Sequence, residues 1–163
     1  MKKESEFCSV IVKSLDVGYK IPDPTGQFAK TIKRCFDIMG AHHFDGFVSY
    51  LHPVYIEAKF NKTMGSFNLN RIEDHQAYYL SRFNDVKGAK CFVILGVYAG
   101  RGDLRAYVFD WNALQPLYEQ KKSIYAKVLK ELPYNEVHKG VFKFEHIITD
   151  EELKEISFIR QAH

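Results

Sequence analysis

The stretch whose reading decides the fold is VYIEAKF, residues Val54 to Phe60, continued by NKTMGSFNLNRIEDHQAYYL to Leu80. Side chains alternate across a strand, so Tyr55, Glu57 and Lys59 share one side, and Val54, Ile56, Ala58 and Phe60 the other. The apolar set marks the core face. The opposite face then displays a carboxylate and an ammonium side by side on a rigid element. A bare Glu-x-Lys in a strand is most often an exposed ion pair of little energetic weight. Two neighbours argue for more. Asp45 lies near the start of the preceding strand-like run, Phe44 to Tyr50, and antiparallel pairing across the short link containing Pro53 can set it beside Glu57. Gln76 falls within an apolar helical stripe, between Ile72 and Tyr79. An amide aimed inward needs partners, because burying it unsatisfied costs about 1–3 kcal/mol.

Outward from this stretch the pattern alternates between helix and strand. Phe7, Cys8, Ile11 and Leu15 recur at helical spacing and predict a first helix over about Lys2 to Leu15, with Glu4 on the apolar stripe and Glu6 opposite. The segment GYKIPDPTG is extended and turn-rich, since Pro22 and Pro24 each remove a backbone donor. Phe28, Ile32, Cys35, Phe36 and Met39 predict a second helix over Gln27 to Met39, with Lys30, Lys33 and Arg34 outward. Asn70 as cap and Glu73 as its capping-box partner open a helix running to Phe83. Two strands, Lys90 to Tyr98 and Leu104 to Asp110, are joined by the turn AGRGD. A helix from Trp111 and another from about Asp150 complete the pattern. This is an α/β count: a central mixed sheet of about four to five strands flanked by helices.

The totals agree with one domain spanning residues 1–163. A chain of 163 residues buries roughly two-thirds of its unfolded surface without help from disulfides or metal. A hydrophobic content of 46% beside 26% charged residues excludes a disordered chain. The longest apolar run, Cys91 to Tyr98, is far short of the about 20 residues a bilayer needs, and the N-terminus does not read as a signal peptide. A cytoplasmic protein with no membrane contact is expected. Cys8, Cys35 and Cys91 form no C-x-x-C pair and read as reduced packing residues. His42 and His43 show no metal-ligand spacing and read as structural. The net charge of +3 permits a polyanionic partner without establishing one.

Two carboxylates converging on a point suit a divalent cation. Mg²⁺ prefers oxygen ligands and keeps several waters, so one or two carboxylates plus substrate phosphate oxygens suffice. A metal held by Asp45 and Glu57 would acidify a bound water and offset charge on the phosphorus oxygens, with Lys59 pointing at the same place.

These residues resemble the PD-(D/E)xK nuclease superfamily, with a restriction-endonuclease-like core, Asp45 as the motif aspartate and Glu57-Ala58-Lys59 as E-x-K. YIEAKFNKT, then SFNLNRIEDHQAYYL, then AKCFVILGVY is similar to the RecU-type Holliday junction resolvases, whose sequences run E-A-K-E-T, F-P-L, a helix with H-Q, and a strand such as G-I-C-F-V-I. KKSI at Lys121 to Ile124 resembles that family's R-K-S-I segment, and YKIPDPT its K-x-P-T-P segment. The resemblance implies a homodimeric endonuclease that uses Mg²⁺ or Mn²⁺ to cut four-way DNA junctions by paired nicks. It implies Asp45 and Glu57 as metal ligands, with Ala58 counted in the metal set, Lys59 assisting the attacking water and Gln76 supporting the site. Glu4, set before Phe7 and Ile11, resembles the E-x-E-L start of archaeal junction resolvases and joins the metal and catalytic set. DNA contact falls to Lys30, Lys33, Arg34, Lys62, Arg71, Lys121 and Lys122. Phe60 departs from the family, which carries an acidic residue after the lysine. The region between Pro24 and Asp45 is shorter than the family's stalk, and its arginine-rich N-terminal segment is missing. A nuclease on other DNA substrates, or a non-catalytic DNA-binding module with the same fold, are the rival readings.

Overall fold

The computed structural model describes residues 3–28, 31, 33–44 and 50–161. In chain order the elements are helix α1 (Glu4–Ser14), strands β1 (Val17–Lys20), β2 (Ile38–His42), β3 (His52–Asn61) and β4 (Phe67–Asn68), helix α2 (Asp74–Asn84), strands β5 (Lys90–Gly100) and β6 (Asp103–Asp110), helix α3 (Trp111–Glu119), strand β7 (Ser123–Ile124), helix α4 (Ala126–Leu129), strands β8 (Asn135–Glu136) and β9 (Ile147–Ile148), and helix α5 (Asp150–Gln161).

The main sheet runs in the order β1-β2-β3-β5-β6-β8, with β9 also on β6. It is mixed: β3 lies antiparallel to β2 and parallel to β5, which puts β3 in the interior of the sheet. The β3-α2-β5 crossover supplies the parallel pair, as a crossover connection must. The sheet exceeds the expected four to five strands because β1, β8 and β9 are short pieces of two to four residues. The α/β, restriction-endonuclease-like core is as expected.

Both faces of the sheet are covered. On one, Phe7, Cys8, Val10 and Ile11 of α1 pack on Ile38, Val54, Ile56, Ala58 and Phe60, with Phe92 and Ile94 of β5. Gly96 admits this helix: a Cβ there would lie 2.7 Å from the Phe7 ring. On the other face, Ala77 and Leu80 of α2 and Trp111, Ala113 and Leu114 of α3 pack on Cys91, Val93, Leu95, Tyr107 and Phe109. The continuous apolar run of β5 follows from burial on both sides, the signature of a central strand. Among the described residues, no helix is long and apolar enough to cross a membrane.

The expected helix over Gln27 to Met39 is a correction. Among the described residues of that span only Gly26–Phe28 coils, as a single 3₁₀ turn, and Ile38 already belongs to β2. The apolar spacing matched a helix, yet the backbone groups here are satisfied by the sheet. Asp37 N donates to Ile56 O at 3.1 Å, and Ile21 N donates to Asp37 O at 2.9 Å. The proline-rich segment supplies β1, which pairs with β2 so closely that a Cβ on Gly40 would stand 2.0 Å from Val17 O. A long-range partner overrides the local period. The partner of β3 is therefore Ile38–His42, and Pro53 sits within β3 opposite Ala41. The expected strand Phe44 to Tyr50 falls largely on residues outside those described.

Candidate active site

Three elements meet over β3. The strand contributes Glu57 and Lys59 on the face turned to α2. The turn before β2 contributes Asp37, and the first turn of α2 contributes Gln76. The antiparallel register Ile38↔Ile56 brings the residue just before β2 level with Glu57. Asp37, Glu57 and Lys59 are 3%, 2% and 6% exposed. The bland reading of Glu57 and Lys59 as an exposed ion pair is thus ruled out. Tyr55, on the same face, packs on Phe36 and Phe83 with ring centroids 5.1 and 4.5 Å away, and α2 closes over it.

Buried charge survives only when it is paired and hydrogen-bonded. Lys59 Nζ donates to Glu57 Oε1 at 2.9 Å and to Gln76 Oε1 at 3.4 Å. Gln76 Nε2 donates to Glu57 Oε1. Asp37 Oδ2 accepts the main-chain N–H of Ala58 at 2.8 Å, and Asp37 Oδ1 faces Arg34 Nη2 at 2.8 Å. Burial, and next the charge of Asp37, push the Glu57 carboxyl up to about 8, against the opposing pull of Lys59. Two carboxylates in one low-dielectric pocket resist ionising together.

The orientation of Gln76 has a local cause. Gln76 Oε1 accepts Glu73 N at 2.8 Å, the reciprocal bond of a helix N-terminal box. The carbonyl end of the amide is committed to the helix cap, so the NH₂ end is left for Glu57. The box lies at Glu73 and Gln76 rather than at Asn70 and Glu73. Asn68 instead accepts Asn70 N at 2.9 Å in the turn before.

Asp45 and Lys30 lie outside the described residues. The carboxylate found beside Glu57 is Asp37, which the sequence reading placed inside a helix. The local sequence carries little that could have found it, because Gly40 just past Met39 suits the end of a helix as well as the middle of a strand. Glu4 stands apart from the pair: Arg71 Nη2 approaches its Oε2 at 3.4 Å. Among the described residues no group of three His, Cys, Asp or Glu side chains is arranged to hold a metal ion. Arg71 also donates to Asn61 Oδ1 at 2.6 Å and Phe60 O at 3.0 Å, so it ties α1, the end of β3 and the approach to α2 together. Phe60 points away from the site, its ring against Phe7 and Tyr98, so the family departure there falls on the α1 face of the strand.

Of the other basic residues, Lys62, Lys121 and Lys122 are exposed, and Lys33 is exposed while reaching Glu73 at 3.4 Å. Lys33 and Lys121 line a groove of about 680 Å³ together with three carboxylates, Glu73, Asp74 and Glu119. The packing role expected for Cys8 and Cys91 agrees with their burial, which pushes both thiols up to about 12. His43 Nδ1 and backbone N bond to Asp16 Oδ2 at 3.1 and 2.9 Å, near the end of β2 remote from Asp37.

The donor set fits a hard divalent cation: Asp37 and Glu57 offer oxygen, and the Ala58 backbone lies against them. The family model for Recombination protein U matches residues 37–158, from Asp37 to within the last helix. No curated protein matches the chain.

Proposed function

The chain belongs to the Recombination protein U family, and from that premise we propose that it is a structure-selective DNA endonuclease. It cuts four-way junctions by paired, metal-dependent phosphodiester hydrolysis. The observation that carries the reading is a nearly buried cluster in which Asp37, from the turn before β2, lies beside Glu57 and Lys59 of the interior strand β3.

Asp37, Glu57 and the backbone at Ala58 would hold Mg²⁺ or Mn²⁺. When bound, the ion supplies an acidified water and positive charge for the phosphoryl oxygens. The chain supplies the rest. Gln76 fixes the Glu57 carboxylate through Nε2, while its own position is fixed by the cap of α2. Lys59, held by Glu57 and Gln76, carries a proton and a positive charge to the point where the attacking water and the phosphate meet. Glu4, which pairs with Arg71, would steer the approach of water or a second ion. Lys33, Lys121, Lys122 and Lys62 would take DNA phosphates leaving the site. A junction has two symmetric cleavage points, so a two-fold homodimer would present one site to each.

The test is incubation with Mg²⁺ and a synthetic four-way junction beside flap and linear duplex of the same sequence. Paired nicks confined to the junction are expected. Equal cutting of all three would move the substrate to DNA in general, and no cutting would overturn the nuclease reading.

A further inference from the structure

Arg34 reads from the sequence as an outward, DNA-contacting residue of a helix, but its guanidinium is turned inward and every part of its fork is engaged. Nη2 meets Asp37 Oδ1 at 2.8 Å, Nε meets Asp23 Oδ1 at 3.1 Å, and Nη1 donates to Ile21 O at 3.3 Å. Its neighbour Lys33 is 61% exposed, whereas Arg34 is 25% exposed. We propose that Arg34 is a positioning residue for the proposed nuclease: it braces Asp37 against Glu57 and is itself anchored by Asp23. The inference rests on the reading of Asp37 and Glu57 as the reactive pair.

The geometry explains why a brace is needed. The backbone of Asp37 is fixed on both sides, by Ile56 O and Ile21 N. Its side chain has one main-chain anchor, the Ala58 N–H on Oδ2. A carboxylate held through one oxygen still swings about χ2, a broad torsion. A planar guanidinium on the other oxygen removes that freedom and sets which lone pairs remain open toward Glu57. Lysine, a point charge with no fixed plane, can match the charge of Arg34 but cannot also span Asp23 and Ile21 O. The segment YKIPDPT thereby acquires a task beyond forming β1: Ile21 and Asp23 hold the brace.

Three variants decide between brace and DNA contact: Arg34→Gln, Arg34→Lys and Asp23→Asn. The last is an exposed change, which keeps the test open if Arg34→Gln does not fold. The amide resonance of Ala58, recorded without DNA or metal, reports its hydrogen bond to Asp37. It is expected to move in Arg34→Gln, to move less in Asp23→Asn, and to return part of the way in Arg34→Lys. Junction cutting is expected to fall about 10-fold to 100-fold in Arg34→Gln, in kcat. Junction affinity in Ca²⁺ and its salt slope should remain as in wild type. An unmoved Ala58 amide, or weaker junction binding with a salt slope reduced by about one, would overturn the brace and make Arg34 a phosphate contact. If wild type cuts no DNA, the nuclease reading fails, and the Ala58 resonance still decides what Arg34 holds.

Discussion

The two faces of β3 are buried to nearly the same depth and have opposite chemistry. Toward α1 the strand presents Val54, Ile56, Ala58 and Phe60, none more than 9% exposed. Toward α2 it presents Glu57 and Lys59, at 2% and 6%. The first face stabilises the fold through apolar burial at about 25 cal/mol per Å². The second offsets the cost of desolvating two charges only through its bonds to Gln76 and to each other. A sequence that keeps ions where methyl groups would serve stability better is spending that position on something other than stability.

Breaking the charged face should remove chemistry with the fold intact. Glu57→Gln is expected to reduce junction cutting at least about 10²–10³-fold, comparable to losing a group that stabilises developing charge, as measured by single-turnover nicking. The same change should alter how metal-free stability responds to pH. The folded-state carboxyl titrates at about 8 against an ordinary 4.5. Its contribution is therefore complete below about pH 4.5 and is lost as pH rises toward 8. Urea titrations across that window should show falling stability in wild type and a flatter profile in Glu57→Gln.

Breaking the apolar face should do the reverse. Ile56→Ala is expected to cost about 2–5 kcal/mol in urea unfolding, with cutting per folded molecule retained. Gln76→Ala sharpens the contrast from the helix side. It leaves the α1 face untouched and should lower cutting about 10-fold to 100-fold, as for a group that orients a metal ligand. The smallest effect is expected at the surface. Lys121→Ala should weaken junction binding modestly and reduce the salt slope by about one, with kcat unchanged in a cutting assay at saturating DNA.

What was legible in the sequence follows the same division. The alternation of Tyr55, Glu57 and Lys59 against Val54, Ile56, Ala58 and Phe60 places a strand with a polar and an apolar face, because side-chain period is a local property. Gln76 in an apolar stripe is likewise local, and the amide does point at Glu57. The depth of the charged face was not legible. It depends on α2 and on the Phe36, Tyr55 and Phe83 cluster crossing over β3. Asp37 was hidden for a related reason. Its neighbours Cys35, Phe36 and Met39 fall at helical spacing, while the bonds that fix it come from Ile21 and Ile56, distant in sequence. The helix cap was displaced because Asn70 satisfies a turn, and Glu73 with Gln76 satisfies the helix.

The central claim is that Asp37, across from Glu57, completes the reactive pair. Nicking of a synthetic four-way junction in Mg²⁺ by Asp37→Asn, run beside wild type, tests it most directly. Loss of cutting in Asp37→Asn, with its junction affinity in Ca²⁺ retained, is expected. Cutting by Asp37→Asn at the wild-type rate would contradict the claim.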